Sequence, residues 1–131
     1  QGDASGRHFN VVDVLSLHCP LTTHTQGLIG APQLARMQPD ALLINTARGA
    51  LVDSQALADA LRAGRLGGAA IDVLPQEPPV DGNPLLAPDV PNLIVTPHVA
   101  WAAREARQRC LDEMAANVED FARGGHRGRV V

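Results

Sequence analysis

Along the chain, short apolar runs alternate with stretches whose apolar residues recur at helical spacing. Residues 11–17, V-V-D-V-L-S-L, predict a strand, and Pro20 closes it because proline has no amide to offer a sheet. A-P-Q-L-A-R-M, 31–37, reads as a short helix with Pro32 at its first position. The four apolar residues from Ala41 to Ile44 predict a strand covered on both faces and ending at Thr46. Asp53 then caps a helix over 54–63 that carries Leu57, Ala60 and Leu61 and stops at Gly64. G-A-A-I-D-V, 68–73, and N-L-I-V-T, 92–96, are two further strands, the second ended by Pro97. In the last segment Leu111, Met114, Ala115, Val118, Phe121 and Ala122 share one face of a long helix, assigned to 101–123.

Strand and helix alternate throughout, which predicts the α/β class with a parallel, doubly wound sheet and right-handed crossovers. Residues 1–10 have no apolar period and read as a ragged end. Residues 11–100 form the sheet domain, and the glycine-rich segment 124–131 reads as a flexible tail. Each strand ends in a residue with chemistry to offer: His18, then Thr46 with Arg48, then Asp72, then His98. In a parallel sheet these ends line one rim, and ligands of open α/β sheets bind at that rim.

Arg48 carries a planar fork of donors that fits a carboxylate in two parallel hydrogen bonds, and Gly49 beside it would let a ligand approach the backbone. His98 is the acid/base candidate, because imidazole titrates near neutral pH. Glu77, in the loop P-Q-E-P-P, is placed to orient that imidazole and favour its protonated form. A carboxylate clamp, an acid/base histidine and a carboxylate behind it suit hydride transfer at the carbon next to a carboxylate. The hydride must come from a cofactor, since no side chain supplies one.

Composition narrows the alternatives. A net charge of −3, with acids and bases mixed along the chain, gives no basic stripe for nucleic acid. All 11 cations are arginine, a bias of composition rather than of chemistry. Cys19 and Cys110 make no disulfide framework and no zinc spacing, so no metal is expected and a cytoplasmic, reducing setting fits. No apolar run has the length of a membrane span.

The segments D-V-L-S-L-H-C-P-L-T, L-L-I-N-T-A-R-G-A-L-V-D, G-G-A-A-I-D-V-L-P-Q-E-P-P and N-L-I-V-T-P-H, in this order, resemble successive signatures of the D-isomer-specific 2-hydroxyacid dehydrogenases. The resemblance spans about residues 11–123. It implies that Arg48 holds the substrate, that His98 is the acid/base and that Glu77 pairs with it. It also implies cofactor contacts from Cys19, Pro20, Thr46 and Ala47, and from Asp72 near the nicotinamide amide, with NAD or NADP as the cofactor. Glu77 stands where a formate dehydrogenase usually has glutamine. Trp101, three residues after His98, resembles the glycerate dehydrogenase and hydroxypyruvate reductase branch, although helix packing would also account for it. The implied substrates are small 2-keto or 2-hydroxy acids such as hydroxypyruvate, D-glycerate or glyoxylate, and the implied assembly of the full-length protein is a homodimer.

The chain contains no G-x-G-x-x-G turn to seat a pyrophosphate on a helix N-terminus. In the family that turn precedes the strand at 11–17. The expectation is therefore the second half of the nucleotide-binding fold plus a helix returning to the substrate domain, inactive by itself. A corepressor-like binding module on the same fold and an inactive truncated remnant are the alternatives.

Overall fold

In the computed structural model, residues 9–130 are described, and they form two compact units, one ending at His98 and the other beginning at Val99. The first unit is a four-stranded parallel sheet in the order β1-β2-β3-β4, built from β1 (Val14–Leu17), β2 (Leu42–Asn45), β3 (Gly68–Ile71) and β4 (Leu93–Val95). Leu17, Asn45, Ile71 and Val95 form its last register row, so all four strands deliver the chain to the same rim. Between them lie α1 (Ala31–Leu34) and α2 (Ser54–Arg62).

The strand predicted over 11–17 begins only at Val14. A turn in which the Ala41 amide donates to the Gln38 carbonyl immediately precedes β2, and the ladder opens with the Leu42 amide donating to the Asp13 carbonyl. The short helix is also cut back from its expected end at 37. The Arg36 and Met37 amides bond three residues back, to Gln33 and Leu34, which tightens the chain out of α geometry.

Asp53 caps α2 as its sequence position predicts, accepting at 3.0 Å from both the Gln55 and Ala56 amides. At the other end Gly64, at φ +62°, lets its own amide reach Leu61 and the Arg65 amide reach Ala60. Leu57, Ala58 and Leu61 are thereby turned inward to meet Leu17, Leu43, Ile71 and the α1 residue Leu34 in one apolar core.

The expectation that β2 is covered on both faces is corrected by the burial pattern. Leu43 and Asn45 are fully buried, whereas Leu42 is 43% exposed and Ile44 half-buried; Val14 and Ile94, on the same face as Leu42, are also exposed. The two short helices cover one face of the sheet. A continuous apolar run reports the strand, but it does not report how many faces are covered.

The second unit is α3 (Arg104–Ala122), three residues shorter at its start than the sequence predicts, with Trp101 in the turn before it. Leu111, Met114, Val118 and Phe121 are exposed along it. The segment read as a tail folds back on α3: the Arg127 amide donates to the Asp120 carboxylate, and its guanidinium reaches Asn117 and Glu113 at 3.1 and 2.6 Å. No helix among the described residues is long and apolar enough to cross a membrane.

Candidate active site

At the β2 exit the chain makes a tight turn through Thr46, Ala47 and Arg48 before a single 3₁₀ turn, Gly49–Leu51. Asn45 sets this turn. Its Oδ1 accepts from the Ala47 amide and its Nδ2 donates to the Arg48 carbonyl, both at 3.0 Å, and the side chain is wholly buried. The guanidinium of Arg48 is exposed and donates to the Ala47 carbonyl at 2.7 Å. The sequence offered a signal for Asn45, a polar residue closing an apolar run, which the expected boundary at Thr46 passed over.

Gly49 behaves differently from the expectation that it admits a ligand. A Cβ built there would lie 2.0 Å from the Leu74 carbonyl carbon and 2.3 Å from the Pro75 nitrogen. The space next to the arginine is thus filled by the backbone of the loop that carries Glu77. Only a residue with no side chain lets these two segments touch.

That loop is pinned in turn by its own carboxylate. Glu77 Oε1 accepts from the Leu74 amide at 2.7 Å, and Oε2 lies 2.6 Å from His98 Nδ1. The hydrogen bond from His98, then that from Leu74, holds the Glu77 carboxyl below its ordinary value, against a smaller opposing effect of desolvation. His98 itself sits at φ +56°, a left-handed conformation uncommon for a residue with a side chain, and its amide donates to the carbonyls of Asp72 and Thr96. Asp72 is buried and its carboxylate accepts from the Thr96 hydroxyl. Thr96 was not among the expected site residues, and nothing in its sequence position marks it except adjacency to the T-P-H turn.

Two concavities gather these groups. One, of about 570 Å³, is lined by Cys19, Pro20, Thr46, Ala47 and Arg48, together with His18 and Leu21. The other, of about 480 Å³, holds Asp72, Glu77, Thr96 and His98 against an apolar wall that includes Leu74, Leu86 and Val95. Four of the five expected cofactor residues are therefore brought together with Arg48, while Asp72 falls with the acid/base pair. The Gly49–Leu74 contact is one physical link between the two groups. His18 accompanies the first of them, with Nε2 2.8 Å from the Ser16 hydroxyl. No group of His, Cys, Asp or Glu among the described residues has the arrangement of a metal site.

A parallel sheet whose carboxyl rim carries a histidine paired with a carboxylate, an arginine turn and a polar cleft is the architecture of a dinucleotide-binding oxidoreductase domain. Residues 5–100 match the family described as D-isomer specific 2-hydroxyacid dehydrogenase, NAD binding domain, and the chain belongs to it. It is 58% identical over 112 residues to a glycerate dehydrogenase of Methylorubrum extorquens, which covers 86% of this chain and 36% of that protein. It is 40% identical over 112 residues to a hydroxypyruvate reductase of Blautia hydrogenotrophica, covering 86% of this chain and 34% of that one. Among solved structures, a D-lactate dehydrogenase with NAD+ from Lactobacillus jensenii superposes with a TM-score of 0.80 at 31% identity, over 97% of this chain and 42% of the other. The chain thus spans about a third of the length of the curated relatives it matches.

The residues present fit the nicotinamide end of such a cofactor. Cys19, Pro20, Thr46 and Ala47 line a cleft at the sheet rim, and the Asp72 carboxylate is a buried acceptor suited to an amide.

Proposed function

We propose that this chain provides the acid/base group, the substrate-carboxylate clamp and the nicotinamide-side contacts of an NAD(P)-dependent D-2-hydroxyacid dehydrogenase acting on hydroxypyruvate or glyoxylate. The observation that carries the reading is the 2.6 Å pairing of Glu77 with His98, with Arg48 two strands away on the same rim. When bound, the dinucleotide supplies or takes up the hydride. Arg48 holds the carboxylate of the acid and so fixes the neighbouring carbon. His98, with Nδ1 engaged by Glu77, exchanges a proton at Nε2 with the substrate oxygen, giving it to the ketone in reduction and taking it from the hydroxyl in oxidation. Glu77 keeps the ring oriented and stabilises the charged imidazolium.

The 58% identity to a glycerate dehydrogenase supports the choice of hydroxypyruvate over larger 2-keto acids. A full-length homodimer in the cytoplasm is part of the same proposal. The test is a chimaera in which residues 11–123 replace the matching segment of the M. extorquens glycerate dehydrogenase. NADH-dependent reduction of hydroxypyruvate that His98→Asn abolishes, with NADH binding retained, is the expected result. A folded chimaera that binds NADH and reduces neither hydroxypyruvate nor glyoxylate would overturn the reading.

A further inference from the structure

We infer that Asn45 is the positioning residue for Arg48, its carboxamide holding the turn from which the guanidinium extends. The inference rests on the function proposed above and adds a residue to it.

Asn45 is wholly buried at the last register row of the sheet, where a leucine or valine would pack as well and satisfy the apolar run. A primary carboxamide in such a place costs free energy unless both its ends are bonded. Both are: Oδ1 takes the Ala47 amide and Nδ2 gives to the Arg48 carbonyl, each at 3.0 Å. These two bonds span the turn from inside and hold the Thr46–Ala47 and Arg48–Gly49 peptide planes, so the Arg48 Cα lies between two fixed points; the Arg48 carbonyl also accepts from the Leu51 amide at 3.2 Å. A hydrogen bond from Arg48 itself reaches only its neighbour, the Ala47 carbonyl, so it fixes the guanidinium relative to a turn that Asn45 has already fixed.

The backbone of Asn45 extends the same control across the rim. Its carbonyl accepts from the Asp72 amide at 2.9 Å, and the Asp72 carbonyl accepts from the His98 amide at 2.9 Å. Residues 45, 72 and 98 therefore form a hydrogen-bonded line across three strand ends. The clamp and the acid/base group are held to a common frame, with Asn45 as the member that reaches the arginine.

Asn45→Asp keeps the volume and the acceptor for the Ala47 amide but loses the donor to the Arg48 carbonyl. In the chimaera described above, N45D should raise the KM for hydroxypyruvate about tenfold, with kcat changed less. A residue that acts through Arg48 has little left to lose once the arginine's fork is gone. In an R48K background N45D should therefore change KM by less than about twofold. An undiminished tenfold effect in that background, or an unchanged KM in the single variant, would overturn the proposal. Should N45D fail to fold by circular dichroism, Asn45→Ser, which also cannot span the turn, is read by the same cycle. If the parent chimaera reduces no 2-keto acid, the functional reading fails separately. Amide hydrogen exchange on this chain then decides: faster exchange confined to 46–48 in N45S supports the assignment, and faster exchange spread through β2 overturns it.

Discussion

Glu77 grips His98 and the start of its own loop with opposite oxygens: Oε2 is 2.6 Å from His98 Nδ1, and Oε1 is 2.7 Å from the Leu74 nitrogen. The carboxylate is thus both the orienter of the imidazole and the clasp of the loop that brings it there. Glu77→Gln separates the two duties, because an amide can still accept from Leu74 while it carries no charge. Ketone reduction should lose kcat about tenfold in the variant with NADH binding retained, since the amide nitrogen then facing His98 Nδ1 cannot accept from it and the ring loses its orienting partner. An unchanged kcat in steady-state assays of the chimaera would leave Glu77 as a clasp alone.

The same pair makes folding stability pH-dependent. The Glu77 carboxyl is held below its ordinary value when folded, so its contribution is fully present above that ordinary value. It is lost as the pH falls through the depressed one. Asp89, held low by the Arg62 guanidinium, acts in the same sense at the surface. Urea midpoints should fall between about pH 6 and pH 3, and Glu77→Gln should flatten part of that fall. A variant with the same slope as the parent would show that the pair adds nothing to stability.

Arg48→Lys keeps the charge and removes the fork. The KM for hydroxypyruvate should rise by about tenfold or more, on the order of 1.4 kcal/mol of lost binding, with NADH binding nearly unchanged. An unaltered KM would remove Arg48 from the clamp.

Gly49 and Gly64 separate two reasons for a glycine. At Gly64 a Cβ would meet nothing within 4 Å, so Gly64→Ala costs only the strain of φ +62°, about 1 kcal/mol. At Gly49 a Cβ would lie 2.0 Å from backbone that cannot rotate away. Gly49→Ala should therefore destabilise by about 2–3 kcal/mol and lower Tm by about 10 °C or more. Equal melting temperatures for the two variants would contradict the contact.

The order of elements was legible because apolar runs and helical spacing report burial directly, and Asp53 and Gly64 declared the ends of α2 through capping chemistry. Arg48, Glu77 and His98 stood out as candidates because their side chains have few other reasons to sit at strand ends and in the loops beyond them, and of these the structure pairs Glu77 with His98. Asn45 was passed over because the strand boundary was set one residue later, at Thr46, although its partners lie in the turn that follows; Thr96 gains its meaning from Asp72 at the end of the neighbouring strand, a pairing that only the folded sheet brings about. Gly49 was read for the wrong neighbour: sequence shows that a backbone is bare, not what comes to lie on it. The uncovered face of β2 escaped for a similar reason, as an apolar strand looks the same whether one side or both are packed.

The meeting of Gly49 with Leu74 and Pro75 also governs how this domain can be recombined with its relatives. Two side chains in contact can drift together by compensating changes in size, but two stretches of main chain have no such freedom. Their fit is inherited as a matched pair of loop shapes. A crossover point anywhere between residues 49 and 74 would join an arginine turn from one parent to a glutamate loop from another, and most such hybrids should lose the acid/base pair even when every functional residue is present. Crossovers outside that interval should be tolerated far more often, so the smallest exchangeable unit of this active site is a segment of chain rather than a set of residues.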